Sequence, residues 1–174
     1  LFYLNLRILN FLMENNTDLN KEISFETFKK QVLEDYRIIV TSREASLLGR
    51  REVLSGKAKF GIFGDGKELP QIALAKVFQN GDFRSGYYRD QTFMMAIKEL
   101  SIKQLFSGFY ANTNINEEPM SAGRQMGAHF NTPLLNNDGT WKKLIDHKNS
   151  SSDISCTGSQ MPRLLGLAQA SKLY

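Results

Sequence analysis

Tyr88 and Arg89 form the most chemically suggestive pair of the sequence, within SGYYRDQTFM at residues 85–94. A helix is predicted to begin at about Asp90. An arginine directly before a helix combines its fork of donors with the free N–H groups of the first turn, and both favour an anion. A diphosphate suits a bidentate guanidinium, and the Tyr88 hydroxyl adds a donor. The alternative, which spacing alone favours, is that Arg89 pairs at the surface with Asp90 or Glu99 while the tyrosines pack.

A second group of candidates lies in AGRQMGAHF, where Arg124 and His129 stand around two glycines. A histidine can carry a proton near neutral pH. A lone histidine is more often structural, and on the residues alone that interpretation is favoured. His147, within DHKNSS, has no neighbour that indicates a metal or a catalytic role.

The third stretch of interest is SSDISCTGSQMP, which starts at residue 151. Small hydroxyl residues lead to Gly158 and then to a predicted helix with Pro162 in its first turn. This order is typical of a strand-to-helix loop in an α/β sheet, where ligands bind at the carboxyl ends of the strands. The plainer interpretation is a helix capped by Ser159, and the two can hold together.

The composition defines a broad class of protein. The chain has 174 residues, of which 41% are hydrophobic, and this is the length and character of one globular domain. Its net charge of +4 permits an anionic ligand without requiring a nucleic acid. A single cysteine, Cys156, leaves no internal disulfide and no cysteine-based metal site of the usual spacing. We therefore expect a cytoplasmic protein with an inert thiol.

The two ends predict a piece of a longer protein. Met13 precedes a polar stretch, so we expect residues 1–12 to be a non-native or untranslated leader. That segment is too short to span a bilayer and does not resemble a signal peptide. At the other end, a helical pattern stops with no glycine or proline to close it. Its apolar stripe consists of Met161, Leu164, Leu165 and Ala168.

Helices dominate the predicted secondary structure. Ser24 is the predicted cap of a first helix, and Ser101 with Gln104 forms a capping box for another. Pro70 is tolerated in the first turn of its helix. The predicted elements are a helix from residue 25 to about 54, helices over 68–78 and from about 90, a turn over 79–82, and helices over 102–112 and after Gly158.

Residues 112–153 are predicted to be mostly loop, and residues 151–157 offer the one predicted strand. A loop of this length within a compact domain is uncommon and often functional. Its glycines and serines would allow a ligand or a partner to approach the backbone closely.

Four stretches, taken in order, resemble one protein family: GYYRDQTFM, LFSGFYANTN, EEPMSAGRQMGAHF and NSSSDISCTGSQMPRLLGLAQASK. They are similar to the alpha-type thiamine diphosphate-dependent dehydrogenase component of 2-oxoacid dehydrogenase complexes, of the pyruvate and branched-chain type. The similarity is greatest to the longer forms in which alpha and beta parts are fused. Residues 64–68 match the family's Gly-x-Gly-x-Glu start of a helix. Asp65 is interpreted as a turn residue, because no asparagine follows Gly-Asp-Gly at the spacing of the magnesium motif of thiamine diphosphate enzymes. Lys67 and Gly127 depart from the family's usual residues.

The resemblance implies a fold and its division along the chain. The fold is of the α/β class, the N-terminal and mostly helical portion of a truncated thiamine diphosphate-binding three-layer α/β/α fold. Residues 42–174 would be the first, incomplete part of that domain, and residues 13–41 a helical extension.

The resemblance also implies roles for particular residues. Tyr88 and Arg89 would hold the diphosphate of the cofactor, and Ser155 and Thr157 would lie on its aminopyrimidine side. Two further residues, Arg124 and His129, match the segment near the entrance of the active site. No catalytic residue and no metal ligand is expected in this stretch, and the ligands of Mg²⁺ are expected downstream.

The implied activity is decarboxylation of a 2-oxoacid and transfer of the acyl group to a lipoyl group. The implied partners are a beta-type half or subunit and a lipoyl-bearing acyltransferase, in an oligomer. Which 2-oxoacid is used stays open, and the isolated fragment is expected to be inactive.

Two other functions are compatible with the residues. A basic pI with interleaved aromatics and arginines would suit a nucleic-acid-binding protein, but the basic residues are dispersed among acids and no recognition motif is present. A structural or regulatory domain could keep the family's shape without its activity. We expect neither a nucleic-acid nor a membrane partner.

Overall fold

The computed structural model describes residues 23–173. The predicted leader over residues 1–12 and the predicted start at Met13 lie outside the described residues. None of the described helices has the length and apolar character that crossing a membrane requires. The elements are α1 (Phe25–Leu54), α2 (Glu68–Val77), β1 (Phe83–Ser85), α3 (Gln91–Ala96), α4 (Ile102–Phe109), a 3-10 turn (Leu144–Asp146), β2 (Asn149–Ser151) and α5 (Gln160–Leu173).

The chain divides into two compact units, one that ends at Glu34 and one that begins at Asp35. In the first unit, the Ser24 hydroxyl accepts a hydrogen bond from the Thr27 N–H at 3.2 Å, so the predicted cap is confirmed. The aromatic side chain of Phe25 in the first turn is exposed. The proposed domain ranges, 13–41 and 42–174, stay a prediction.

In the second unit, α1 buries small residues against its neighbours. A Cβ on Gly49 would lie 2.5 Å from the Phe63 ring, so only glycine lets the ring approach this closely. The Gln91 side-chain amide donates to the Ser46 hydroxyl at 2.8 Å and links α3 to α1. The buried positions of α1 are Ser42, Ala45, Ser46 and Gly49.

The apolar core lies among α1, α3 and α4. Phe109 is fully buried, and its ring meets that of Phe63 edge to face with centroids 5.2 Å apart. The predicted capping box of α4 is confirmed, since Ser101 accepts from the Gln104 N–H while the Gln104 side chain accepts from the Ser101 N–H. The buried core residues are Ala45, Ala58, Phe93, Met94, Ile97, Leu100, Leu105, Phe109, Ala128 and Phe130.

A buried carboxylate fixes the start of α2. Both oxygens of Glu68 accept from the Arg43 guanidinium, at 2.6 and 2.8 Å. The Gly66 N–H also donates to Glu68, at 3.0 Å from Oε2. Mainly through the hydrogen bond from Arg43, the pKa of Glu68 falls to about 2. Asp65 lies in the turn before this helix, as predicted, and pairs with Arg50 at 2.6 Å.

The two strands pair in parallel, with Phe83 opposite Asn149 and Ser85 opposite Ser151. The described chain is therefore mixed helical with a small two-stranded parallel sheet. The predicted strand over residues 151–157 is wrong except at its first residue, and β1 was not predicted. Strand position depends on a partner more than sixty residues away, and β2 is a polar segment without the alternation that would mark it in the sequence.

The predicted long loop is confirmed over most of its length, apart from the 3-10 turn and β2. A buried carboxylate organises part of it. Glu118 accepts hydrogen bonds from the N–H groups of Met120, Ser121 and Gly123 at 2.9–3.1 Å. This local network satisfies the backbone donors that a loop otherwise leaves to water, so the segment holds a defined path towards His129.

Candidate functional site

The residues predicted to bind a cofactor follow the carboxyl ends of the two parallel strands. Tyr88 and Arg89 lie in the turn after β1, and Ser155 and Thr157 lie in the loop after β2. Because paired parallel strands end at the same edge, these two segments meet. The Ser85 hydroxyl donates to the Gln160 carbonyl at 3.1 Å and so links the end of β1 to the start of α5.

Arg89 lies against two tyrosine rings. Its guanidinium carbon is 4.9 Å from the centroid of Tyr88 and 5.7 Å from that of Tyr87. Within residues 23–173 it forms no ion pair, so the alternative interpretation, a surface pair with Asp90 or Glu99, is not observed there. Asp90 is instead paired with Arg84, at 2.8 Å. A half-buried cation on aromatic faces keeps its donors available for an anion.

The helix that follows Arg89 is shorter than the sequence suggests, which reduces what its N-terminus can contribute. The helix after Arg89 has only six residues, so its dipole is small. The Phe93 N–H donates to the Gln71 side chain at 2.9 Å, and the Met94 N–H donates to the Asp90 carbonyl. The Phe93 N–H is thus used within the protein, and so short a helix adds little to anion binding.

Tyrosine and threonine hydroxyls form a chain beside Arg89. The Tyr87 and Tyr88 hydroxyls are hydrogen-bonded to each other, and Tyr87 lies 3.2 Å from the Thr157 hydroxyl. The hydrogen bond with Thr157, and then that with Tyr88, lowers the pKa of Tyr87. The hydrogen bond with Tyr87 raises the pKa of Tyr88. Because the Tyr87 hydroxyl donates to that of Tyr88, the proton of Tyr88 is left available for an anion.

His129 joins the cluster through Ser155. Its Nε2 is hydrogen-bonded to the Ser155 hydroxyl, and its Nδ1 lies 3.4 Å from the Gly127 carbonyl. Its ring centroid is 6.0 Å from that of Tyr88. With Nδ1–H directed at the carbonyl, Nε2 would accept the proton of the serine hydroxyl. The structure thus brings together Tyr88, Arg89, Ser155, Thr157 and His129, which we call the aromatic–arginine cluster.

Arg124 is not brought into this cluster. Its side chain is exposed, and within the described residues it makes no side-chain hydrogen bond or ion pair. Of the segment that contains Arg124 and His129, it is His129 that lies in the cluster. His147 lies apart, after the 3-10 turn, where its backbone carbonyl accepts from the Gly81 N–H at 2.8 Å.

Arg84, a buried residue of β1, was not predicted to belong to the site. Its guanidinium lies within 2.9 Å of carboxylate oxygens of both Asp90 and Asp153. Burial raises the pKa of Asp153, although the charge of Arg84 opposes that shift. The weak sequence signal was a lone arginine in a three-residue segment between a turn and a glycine.

Among residues 23–173, no group of three or more histidine, cysteine, aspartate or glutamate side chains could hold a metal ion. The chain matches no protein-family model, and the search of curated proteins gave no match.

Proposed function

We propose that the aromatic–arginine cluster binds thiamine diphosphate, and that the chain is part of a 2-oxoacid dehydrogenase that depends on this cofactor. The observation that carries the proposal is the guanidinium of Arg89, 4.9 Å from the Tyr88 ring centroid, with no carboxylate paired to it within the described residues. A cation held in this way among hydroxyl donors is suited to a diphosphate.

The donor set fits the two ends of the cofactor. Arg89 and Tyr88 would hold the diphosphate, the first by charge and the second through its phenolic proton. Ser155 and Thr157, on the loop after β2, would face the aminopyrimidine. His129 would lie at the active-site entrance, oriented by its contact with Ser155.

The proposal extends to the fold. The parallel pair β1–β2 with a loop leading into α5 is compatible with the first part of a three-layer α/β/α domain. In such a domain, cofactors bind where the carboxyl ends of parallel strands meet.

The bound cofactor would supply the electron sink that 2-oxoacid decarboxylation requires. The part of this chain is to anchor it, to neutralise diphosphate charge through Arg89, and to keep hydroxyl donors in reach. The ligands of Mg²⁺, the beta-type half and the lipoyl-bearing acyltransferase belong to the same proposal. Asp65 is paired with Arg50 and is not counted among the metal ligands.

The test is Arg89→Ala in the complete protein with Mg²⁺ present. Loss of one charge-assisted contact is expected to weaken thiamine diphosphate binding by about 1–3 kcal/mol, or roughly 5- to 150-fold. Affinity is measured by calorimetry. The matched control is Arg51→Ala, an exposed arginine near the end of α1.

Thiamine without its diphosphate provides the second comparison. If Arg89 recognises the diphosphate, Arg89→Ala changes thiamine affinity no more than Arg51→Ala does. Equal thiamine diphosphate affinities for the two variants would refute the proposal. The same titration on the 174-residue chain alone is expected to give weaker binding, because the metal site is expected elsewhere.

A further inference from the structure

Arg84 is a buried cation that the proposed function does not use. It lies at the centre of β1, with 7% of its side chain exposed. Its Nη1 donates to the Ser150 hydroxyl of β2 at 2.6 Å, and its Nη2 donates to the Tyr87 carbonyl at 3.1 Å. One guanidinium therefore joins the neighbouring strand to the turn that carries Arg89.

Two carboxylates complete the surroundings of Arg84. Nη2 lies 2.8 Å from Asp90 Oδ2, and Nη1 lies 2.9 Å from Asp153 Oδ1. The contact with Asp153 Oδ1 has the distance of an ion pair without the angle of a hydrogen bond, whereas Oδ2 accepts from Nη2 at 3.2 Å. Because desolvation offsets the attraction between buried charges, such a network adds little net stability. Its main effect is on the position of the segments that it joins.

The first segment it holds is the turn from Tyr87 to Asp90. The Asp90 N–H donates to the Tyr87 carbonyl at 3.0 Å, and the Tyr87 N–H donates to Asp90 Oδ2 at 3.0 Å. Tyr88 and Arg89 are the central residues of this turn. Arg84 contacts both of its ends, at the Tyr87 carbonyl and the Asp90 carboxylate.

The other segments are held through Asp153. Its Oδ2 accepts from the Phe130 N–H at 3.0 Å, and its own N–H donates to the Phe130 carbonyl at 3.1 Å. Phe130 directly follows His129, and a single residue separates Asp153 from Ser155. The network of Arg84 thus reaches all three segments of the aromatic–arginine cluster.

Gly86 shows how closely the backbone packs on this guanidinium. A Cβ at Gly86 would lie 1.7 Å from Arg84 Cζ and 1.9 Å from Nη2. Any larger residue at this position would displace the guanidinium.

We propose that Arg84 is a positioning residue for the diphosphate site: it touches no ligand and sets the Tyr88–Arg89 turn against the segments of His129 and Ser155. This inference rests on the proposed function, which supplies the identity of the ligand. The arrangement of the turn can be measured without any ligand.

The test uses Arg84→Lys and Gly86→Ala. Lysine keeps a charge beside Asp153 but loses the planar fork. Gly86→Ala keeps every polar group and displaces the guanidinium. The control is Gly108→Ala, because a Cβ there meets nothing within 4 Å. The first readout, without ligand, is the NMR shift of the Arg89 side-chain protons, which the Tyr88 ring moves upfield. The second is thiamine diphosphate affinity with Mg²⁺ in the complete protein.

In both variants, the Arg89 protons are expected to return towards the shifts of free arginine, and affinity is expected to fall about tenfold or more, as for a lost charge-assisted contact. An Arg89 shift unchanged in a folded variant, as judged by circular dichroism, overturns the inference. So does full affinity with a displaced Arg89. If the unaltered protein does not bind the cofactor, the proposed function fails, and the Arg89 shift still decides the role of Arg84.

Discussion

Arg84 and Arg89 lie on the same short segment and carry the same charge, but their surroundings differ. Arg84 is buried among Asp90, Asp153 and Ser150. Arg89 lies on the Tyr88 ring. The two environments are linked, because Asp90, the carboxylate nearest to Arg89 in sequence, is paired with Arg84. The alternative considered for Arg89, a surface pair with Asp90, is not formed because Arg84 occupies that carboxylate.

At the residue scale, the low pKa of Glu68 predicts how the stability of the protein changes in acid. Its pKa is about 2 in the folded protein against an ordinary value of 4.5. A depressed pKa contributes stability that is fully present above pH 4.5 and is lost as pH falls towards 2. Because Arg43 is partly exposed, solvent screens the pair, and we expect this contribution to be about 1–3 kcal/mol.

In Glu68→Gln, the free energy of unfolding should therefore decrease less between pH 4.5 and pH 2 than in the unaltered protein. The measurement is urea denaturation at each pH. Asp153 acts in the opposite direction, because its raised pKa favours the folded state at lower pH. It is present in both proteins and cancels in the difference. Glu44→Gln, an exposed position next to Arg43, is the control. Parallel pH curves for Glu68→Gln and the unaltered protein would contradict the assignment.

At the scale of elements, local capping explains why α4 begins at Ile102. Ser101 has extended backbone geometry, and its hydroxyl accepts from the Gln104 N–H at 3.2 Å. The reciprocal bond, from the Ser101 N–H to the Gln104 side chain, is 2.8 Å long. Both bonds satisfy donors that a helix start leaves unpaired.

Ser101→Ala is expected to reduce the free energy of unfolding by about 1 kcal/mol, as for other caps. The measurement is a urea titration followed by circular dichroism. Ser171→Ala, at an exposed position within α5, should be neutral or slightly stabilising, because alanine is the better helix former. A cap variant as stable as the control would mean that packing alone fixes the start of α4.

At the scale of the second unit, stability depends on the apolar cluster among α1, α3 and α4. Leu105 is 2% exposed on the inner face of α4, whereas Leu69 in α2 is 70% exposed. Every residue of α5 retains some exposure, including the predicted stripe residues Met161, Leu164 and Leu165. The apolar periodicity of α5 therefore does not correspond to burial within the described chain.

Leu105→Ala is expected to cost about 2–5 kcal/mol through lost burial and the cavity left behind. Leu69→Ala, the matched exposed leucine, should change stability by less than about 0.5 kcal/mol. Denaturant midpoints compare the two variants. A similar loss for both would contradict the assignment of the core to this cluster.

The predictions from local sequence agree with the structure where the cause is local. The cap at Ser24, the capping box of Ser101 and Gln104, and Pro70 in the first turn of α2 depend on atoms within one helical turn. The same holds for Asp65 in its turn. These features follow from hydrogen-bond and backbone preferences that tertiary packing did not override.

The candidate site was predictable only in part. Tyr88 and Arg89 were suggested by their own chemistry, but their grouping with Ser155 and Thr157 came from a resemblance and not from spacing. Arg84 could not be predicted, because the partner that makes it central, Asp153, lies on a distant segment.

By itself, the sequence determined the approximate positions of the helices, the caps at Ser24 and Ser101, and the presence of a cation beside two tyrosines. Only the tertiary structure decided which strands pair, which arginine is buried and which remains on the aromatic rings. The physical reason is range: caps and turns close within a few residues, whereas β1 meets β2, and Arg84 meets Asp153, only when the intervening chain has folded.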